Sequence, residues 1–356
     1  MKAWLETRQV LDALAECRRA GTPAALATVI RVRGSAYRHE GAKLLVRADG
    51  THVGNVSGGC LEGDVREVAR RVIASGVAER RQYCGGADEV AAWDLGVGCE
   101  GEVELLIEPV TDDRSAARAA LDAEVPFVTL TTLDGDRPVA HETRTGEAAA
   151  PWRGVASRLE QHEGREVFVD VLHPAPRLLV VSGGDDAIPL ARLAAAVGFR
   201  VVVADRRPGL LTAERFPAPI RCVEADAARL GERVVLEPGD AAVVMTHHFV
   251  DDAAYLGALL AGPARYLGIL GPHQRTARIL TGLGEAAQSA ALRIFGPVGL
   301  DIGTDGAEQV ALAVIAEILA VRSGRAPRSL RDRRAPIHAS PEAAANVAPM
   351  DGPRGD

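Results

Sequence analysis

Lysine is almost missing from this chain: Lys2 and Lys43 are the only two among 41 basic residues, so arginine carries the positive charge. Against 48 acidic residues this leaves a formal charge of −7. Whole-molecule attraction to nucleic acid is thereby excluded, although single arginine forks can still grip a phosphate. Aromatic residues are scarce at 4%, too few for the rows of stacking rings that single-strand nucleic-acid binders use. The longest apolar stretch, Val310 to Val321, is broken by Glu317 and falls short of the ~20 residues that span a bilayer, so no membrane segment is expected. Met1 to Gly21 has no apolar core of the secretory kind, and a cytoplasmic location is expected. The five cysteines, Cys17, Cys60, Cys84, Cys99 and Cys222, include no C-x-x-C pair and read as free thiols of a reducing compartment rather than as disulfides or a zinc site. G-x-S-x-G, H-E-x-x-H and a Walker lysine are also missing, which removes the standard serine hydrolase, zinc protease and P-loop chemistries.

What is present is a globular composition, 47% hydrophobic and 25% charged over 356 residues, enough for two cores. The expected fold class is α/β: a small N-terminal α+β domain over residues 1–172, then a Rossmann-like doubly wound parallel sheet over 177–322, then a disordered tail over 323–356. In the first domain Trp4, Leu11, Leu14 and Cys17 are spaced for a helix that Gly21 ends. Asp49-Gly50 between two apolar runs predicts a hairpin. Leu61, Val65, Val68 and Val72 predict a second helix stopped by Gly76, with the Ser57-Gly-Gly-Cys60 turn leading into it. Strands are expected over Phe127 to Leu133, Pro138 to Thr143 and Glu166 to Leu172, as an antiparallel extension of that domain. After His173-Pro-Ala-Pro176 the pattern turns to βαβ, with strands over Arg177 to Val181, Arg200 to Ala204 and Ala241 to Thr246.

Three places carry candidate chemistry. Ser182, Gly183 and Gly184 follow a strand, open a helix and precede Asp205, as in a dinucleotide fingerprint whose first glycine is replaced by serine. Free amides and the helix dipole would draw a pyrophosphate there, and Asp205 would accept from a ribose hydroxyl. Asp185 and Asp186 work against a phosphate at that helix start. In the Ser57, Gly58, Gly59, Cys60 turn a thiol precedes a helix, where the dipole favours the thiolate, although Glu62 and Asp64 oppose it. Cys99 lies in a second glycine-rich loop, and His247 follows a strand at the carboxyl edge where such sheets place ligands.

Arg33-Gly-Ser-Ala-Tyr-Arg38, Gly54-Asn-Val-Ser-Gly-Gly-Cys-Leu-Glu62, Leu95-Gly-Val-Gly-Cys99, the turn at 182–187, Thr246-His-His, Tyr266-Leu-Gly-Ile-Leu-Gly271 and Gly296-Pro-Val-Gly-Leu-Asp-Ile-Gly303 occur in order along the chain. Together they resemble the XdhC/CoxI family. The resemblance implies a cytoplasmic, non-enzymatic chaperone that binds the molybdenum cofactor, as the simple pterin or its cytosine dinucleotide form, protects its sulfurated state and delivers it to the apo form of a xanthine dehydrogenase-type hydroxylase. A cysteine desulfurase would assist, and a homodimer is expected. Cys60 or Cys99 would approach molybdenum or carry sulfur, and Arg38 would add a charge-assisted contact. The alternative is an NAD(P)-dependent oxidoreductase built on the Rossmann-like domain.

Overall fold

The computed structural model describes residues 2–34, 36–84, 101–134 and 137–333. The chain divides into two compact units, one reaching Pro174 and the other beginning at Ala175.

The first unit opens with helix α1 (Lys2–Ala20) and holds two antiparallel sheets. One has the order β3-β2-β1-β5-β4, built from β1 (Ala24–Arg33), β2 (Lys43–Arg47), β3 (His52–Gly54), β4 (Glu79–Cys84) and β5 (Glu102–Pro109). Helix α2 (Glu62–Ser75) lays Val65, Val68, Ala69 and Val72 on it, against Ala25, Ala27, Val29, Leu105 and Ile107, and ends where Gly76 takes a left-handed φ of 68°. The hairpin at Asp49-Gly50 joins β2 to β3, with Asp49 accepting from the amide and hydroxyl of Thr51 at 2.8 and 2.6 Å. After helix α3 (Ser115–Asp122), strands β6 (Phe127–Asp134), β7 (Arg137–Thr145), β8 (Arg158–His162) and β9 (Arg165–Leu172) pair in the order β7-β6-β9-β8. The stretch expected as an antiparallel extension of the first domain forms a second antiparallel sheet within it. Strands β4 and β8 and helix α3 were not expected from the pattern. For the strands the reason is local: both lie at sheet edges, where one side of the ladder meets solvent and the sequences Glu-Arg-Arg-Gln-Tyr-Cys and Arg-Leu-Glu-Gln-His carry charge instead of alternating apolar residues.

The second unit is a six-stranded parallel sheet in the order β12-β11-β10-β13-β14-β15, from β10 (Arg177–Val181), β11 (Arg200–Asp205), β12 (Arg221–Glu224), β13 (Ala241–Val244), β14 (Tyr266–Ile269) and β15 (Ile294–Phe295). Its strands are apolar almost throughout because both faces are covered, with Leu179, Val181, Val202, Ala204, Val244, Leu267 and Ile269 in one core cluster. Helices α4 (Ala187–Val197), α5 (Leu230–Arg233), α6 (Phe249–Leu260), α7 (His273–Ser289) and α8 (Ala307–Ser323) connect or cover the strands. The chain runs outward from β10 through β11 to β12, then returns to β13 beside β10. That reversal makes the carboxyl ends of β10 and β13 the switch point at which doubly wound sheets hold ligands. Among the described residues no helix is long and apolar enough to cross a membrane.

Candidate functional site

In the first unit, β3 ends at Gly54, where a Cβ would lie 2.3 Å from the carbonyl oxygen of Lys43 and φ is +89°, so only glycine lets the chain leave the strand here. The loop that follows is wired through Ser57 and Glu62. Ser57 donates its hydroxyl proton to Glu62 and accepts from the amides of Gly59 and Leu61, both at 3.1 Å. Glu62 also takes the amides of Ser57 at 2.9 Å and Val56 at 3.2 Å. Burial alone would raise the Glu62 carboxyl, but these donors outweigh it and hold the group below its ordinary value. The Ser57 hydroxyl thus has its proton and both lone pairs engaged inside the loop. Ser57, expected as a ligand contact, here shapes the turn, and Gly58, Gly59 and Cys60 are what the turn presents.

Cys60 is a half-buried free thiol that, like Val32, Ile73 and Tyr83, packs against the core beneath α2. It lines a shallow cleft whose walls include Tyr37, Arg38, Gly58 and Tyr83. The Tyr83 hydroxyl donates to Asp64 at 2.6 Å, and burial together with that carboxylate pushes the phenol far up, so it stays protonated. Arg38 reaches the same cleft, but its fork holds the Glu6 carboxylate on α1, with Nη1 3.2 Å from Oε1 and Nη2 on Oε2. Its Nε is buried without an acceptor. Helix α2 begins only at Glu62, with Leu61 before it, so Cys60 stands outside the first turn instead of capping it. Cys99 lies outside the described residues.

In the second unit Ser182, Gly183 and Gly184 form a turn between β10 and α4. The expected open amides are occupied: Gly183 donates to Asp205 at 2.7 Å and Gly184 to Ser182 Oγ at 2.9 Å. A Cβ on Gly183 would stand 2.7 Å from that of Leu210, so this glycine answers a packing demand. Asp205, its side chain 4% exposed, spends its remaining capacity on the amide, Nε and Nη2 of Arg207 at 2.9, 2.9 and 2.8 Å. Burial opposes the charge, but these hydrogen bonds prevail and keep the carboxyl below its ordinary value. Asp205, expected as a ribose acceptor, here clamps the glycine turn, with both its oxygens accepting from Gly183 and Arg207.

Around that turn Arg215 bridges the Gly183 carbonyl at 2.9 Å and Asp185 at 2.7 Å, while His247, at a left-handed φ of 60°, meets Asp186 at 2.9 Å. The loops after β10 and β13 thus join at the switch point, as the position of His247 leads one to expect for the crevice. Neighbouring Asp251 pairs with Arg206 and His248 at 3.1 and 3.3 Å. Each of these rim aspartates has a cationic or histidine partner, and no cluster of metal-binding side chains occurs among the described residues. Glu62 as loop clamp, Glu6 as holder of Arg38, and Arg215 were missed by sequence reasoning. Glu62, five residues after Ser57, had a local signal, whereas Glu6 and Arg215 had none, since each is brought in from a distant segment.

A six-stranded Rossmann unit joined in one chain to an antiparallel α+β unit bearing Ser-Gly-Gly-Cys defines the class, and known proteins agree with it. The XdhC Rossmann domain matches residues 178–318, and the XdhC and CoxI family matches residues 17–83. The chain belongs to this family. It is 31% identical over 338 residues to a probable xanthine dehydrogenase subunit of Bacillus subtilis (strain 168), covering 88% of this chain and 96% of that protein. It is 26% identical over 318 residues to the molybdenum cofactor insertion chaperone PaoD of Escherichia coli (strain K12), covering 88% of each. The crystal structure of a xanthine dehydrogenase from Bacillus halodurans superimposes with a TM-score of 0.74 at 29% identity, over 90% of this chain and 98% of that one.

Proposed function

We propose that this protein binds the molybdenum cofactor as cargo and inserts it into a xanthine dehydrogenase-type hydroxylase. The reading is carried by the likeness to an insertion chaperone along 88% of both chains, in a molecule whose half-buried free thiol lines a cleft beside an arginine. Cys60 is assigned to the soft end of the cargo, molybdenum or its sulfur ligand, for which a thiol is the matching donor. Cys99 shares that assignment by sequence. Arg38 takes the pterin phosphate. The protein works as a cytoplasmic homodimer, protects the sulfurated cofactor, and receives sulfur with the help of a cysteine desulfurase. NAD(P) chemistry fits less well, because the acid that should hold the ribose is saturated by Arg207 and Gly183.

Equilibrium binding of the cofactor to the purified chain, with Cys60→Ala alongside and NADH as competitor, tests this. Micromolar binding is expected, weakened about tenfold (about 1.4 kcal/mol) by the substitution. Equal affinity in the variant removes Cys60 from the site. Binding of NADH with no cofactor binding supports the oxidoreductase instead.

A further inference from the structure

In the Cys60 cleft Tyr37 is left unused by the assignments above, and the Arg38 assignment does not say which of its donors is available. Tyr37 is 65% exposed in a chain where aromatic residues are scarce. A Cβ built on Gly58 would lie 3.5 Å from the Tyr37 Cγ and 3.7 and 3.8 Å from Cδ1 and Cδ2. Near-equal distances to these three atoms place Gly58 over the flat of the ring, so one face is backed by the Ser57–Cys60 turn. The exposure of the ring is then left to the side away from Gly58. Arg38 follows Tyr37 directly and is its opposite in environment: the side chain is 14% exposed, its two terminal nitrogens are held by Glu6, and its Nε–H is buried without an acceptor. A buried donor without a partner is a standing demand for an acceptor.

We propose that Tyr37 and Arg38 make this cleft a slot for a planar heterocycle with an anionic tail, the ring stacking on the free face of Tyr37 and the tail accepting from Arg38 Nε–H. Glu6 holds the two terminal nitrogens and so orients the guanidinium before the tail arrives. The slot rests on the cargo reading above, since a pterin phosphate is such a ligand, and it adds Tyr37 as the residue that recognises the ring. Stacking is indifferent to the substituents of the ring, whereas the Arg38 contact selects the charged tail. The two contributions are therefore separable.

Fluorescence titration of the full-length chain with neopterin and with neopterin monophosphate separates them. Wild type is expected to bind the phosphate ester about tenfold more tightly than the plain pterin. Tyr37→Leu, a surface change that the fold tolerates, should weaken both ligands about tenfold, and Tyr37→Phe should stay within about twofold of wild type. Arg38→Lys keeps a charge beside Glu6 but deletes the Nε–H, so it should abolish the advantage of the ester while leaving plain neopterin unchanged. Wild-type-like binding by Tyr37→Leu, or no advantage for the ester, overturns the slot. Retention of the molybdenum cofactor is measured on the same proteins. If Tyr37→Leu holds the cofactor as well as wild type, the slot alone falls. If wild type holds neither the cofactor nor a pterin, the slot and the chaperone reading fall together.

Discussion

The tripeptide Ser-Gly-Gly occurs at 57–59 and again at 182–184, and the two turns are tied down in different ways. In the first, the clamp is Glu62, five residues along the same loop, acting through the Ser57 hydroxyl. In the second, it is Asp205, brought from the end of the neighbouring strand β11, and it takes the Gly183 amide directly. A glycine turn before a helix is often read as an open cradle for phosphate. Here both turns satisfy most of their donors with the chain's own side chains, and what separates them is what each leaves facing outward. The first leaves a thiol, an aromatic face and an arginine; the second leaves Asp185 and Asp186, already joined to Arg215 and His247.

Removing the clamps should show the contrast most strongly. Asp205→Ala strips a buried acceptor from two amides and one guanidinium and is expected to cost about 2–3 kcal/mol of stability by chemical denaturation. A loss below about 0.5 kcal/mol would mean that the turn holds itself.

Next in size is the difference between the glycines. Gly183→Ala drives a methyl group into Leu210 and should cost about 2 kcal/mol. Gly59→Ala, with open space around it but φ at +115°, should cost about 1 kcal/mol from backbone strain alone. Gly58→Ala meets the Tyr37 ring at ordinary contact distance and should stay within about 0.5 kcal/mol of wild type. Equal losses at 58 and 183 would erase the distinction between a ligand-facing turn and a packed one.

The acid limb of stability gives a smaller effect. Glu62 has a folded pKa below its ordinary 4.5, so near that pH the unfolded chain binds more protons than the folded one. Its contribution is therefore full above the unfolded value and is lost as the pH falls through the folded one. Glu62→Gln should cost about 1 kcal/mol at pH 7 and make the stability curve flatter in that acid window. An unchanged acid limb would assign the loop's stability to the Ser57 hydrogen bonds alone.

The smallest effect is expected at the rim of the second unit. The His247–Asp186 pair is 58% and 43% exposed, so Asp186→Asn should change stability by less than about 0.5 kcal/mol. A larger loss would make this contact a structural strap across the switch point.

The sequence by itself determined the secondary elements whose burial repeats with a local period. Helix α2 with its Gly76 stop, the Asp49-Gly50 hairpin, and strands β10, β11 and β13 could all be read within a residue or two of their ends, because each buries an apolar stripe or lies wholly inside. The parallel order of the second unit followed from the βαβ alternation. The ordered motifs along the chain likewise pointed to the family. Edge strands β4 and β8 could not be read, since an edge is half solvated and leaves no apolar rhythm in its residues. Nor could the separate sheet formed by β6 to β9, because pairing partners are chosen by contacts between segments and not by the pattern within one.

At the sites the division is sharper. Sequence named the two glycine turns, Cys60, Arg38 and His247, residues whose type announces chemistry. Only the tertiary structure decided which of their hydrogen-bonding groups are already spent. Asp205 became a clamp when Gly183 and Arg207 filled both its oxygens, Ser57 became a scaffold when Glu62 and two amides closed around its hydroxyl, and Arg38 met a carboxylate 32 residues away on α1. A hydrogen bond uses up a donor and an acceptor at one place in space, and distance along the chain does not record that place.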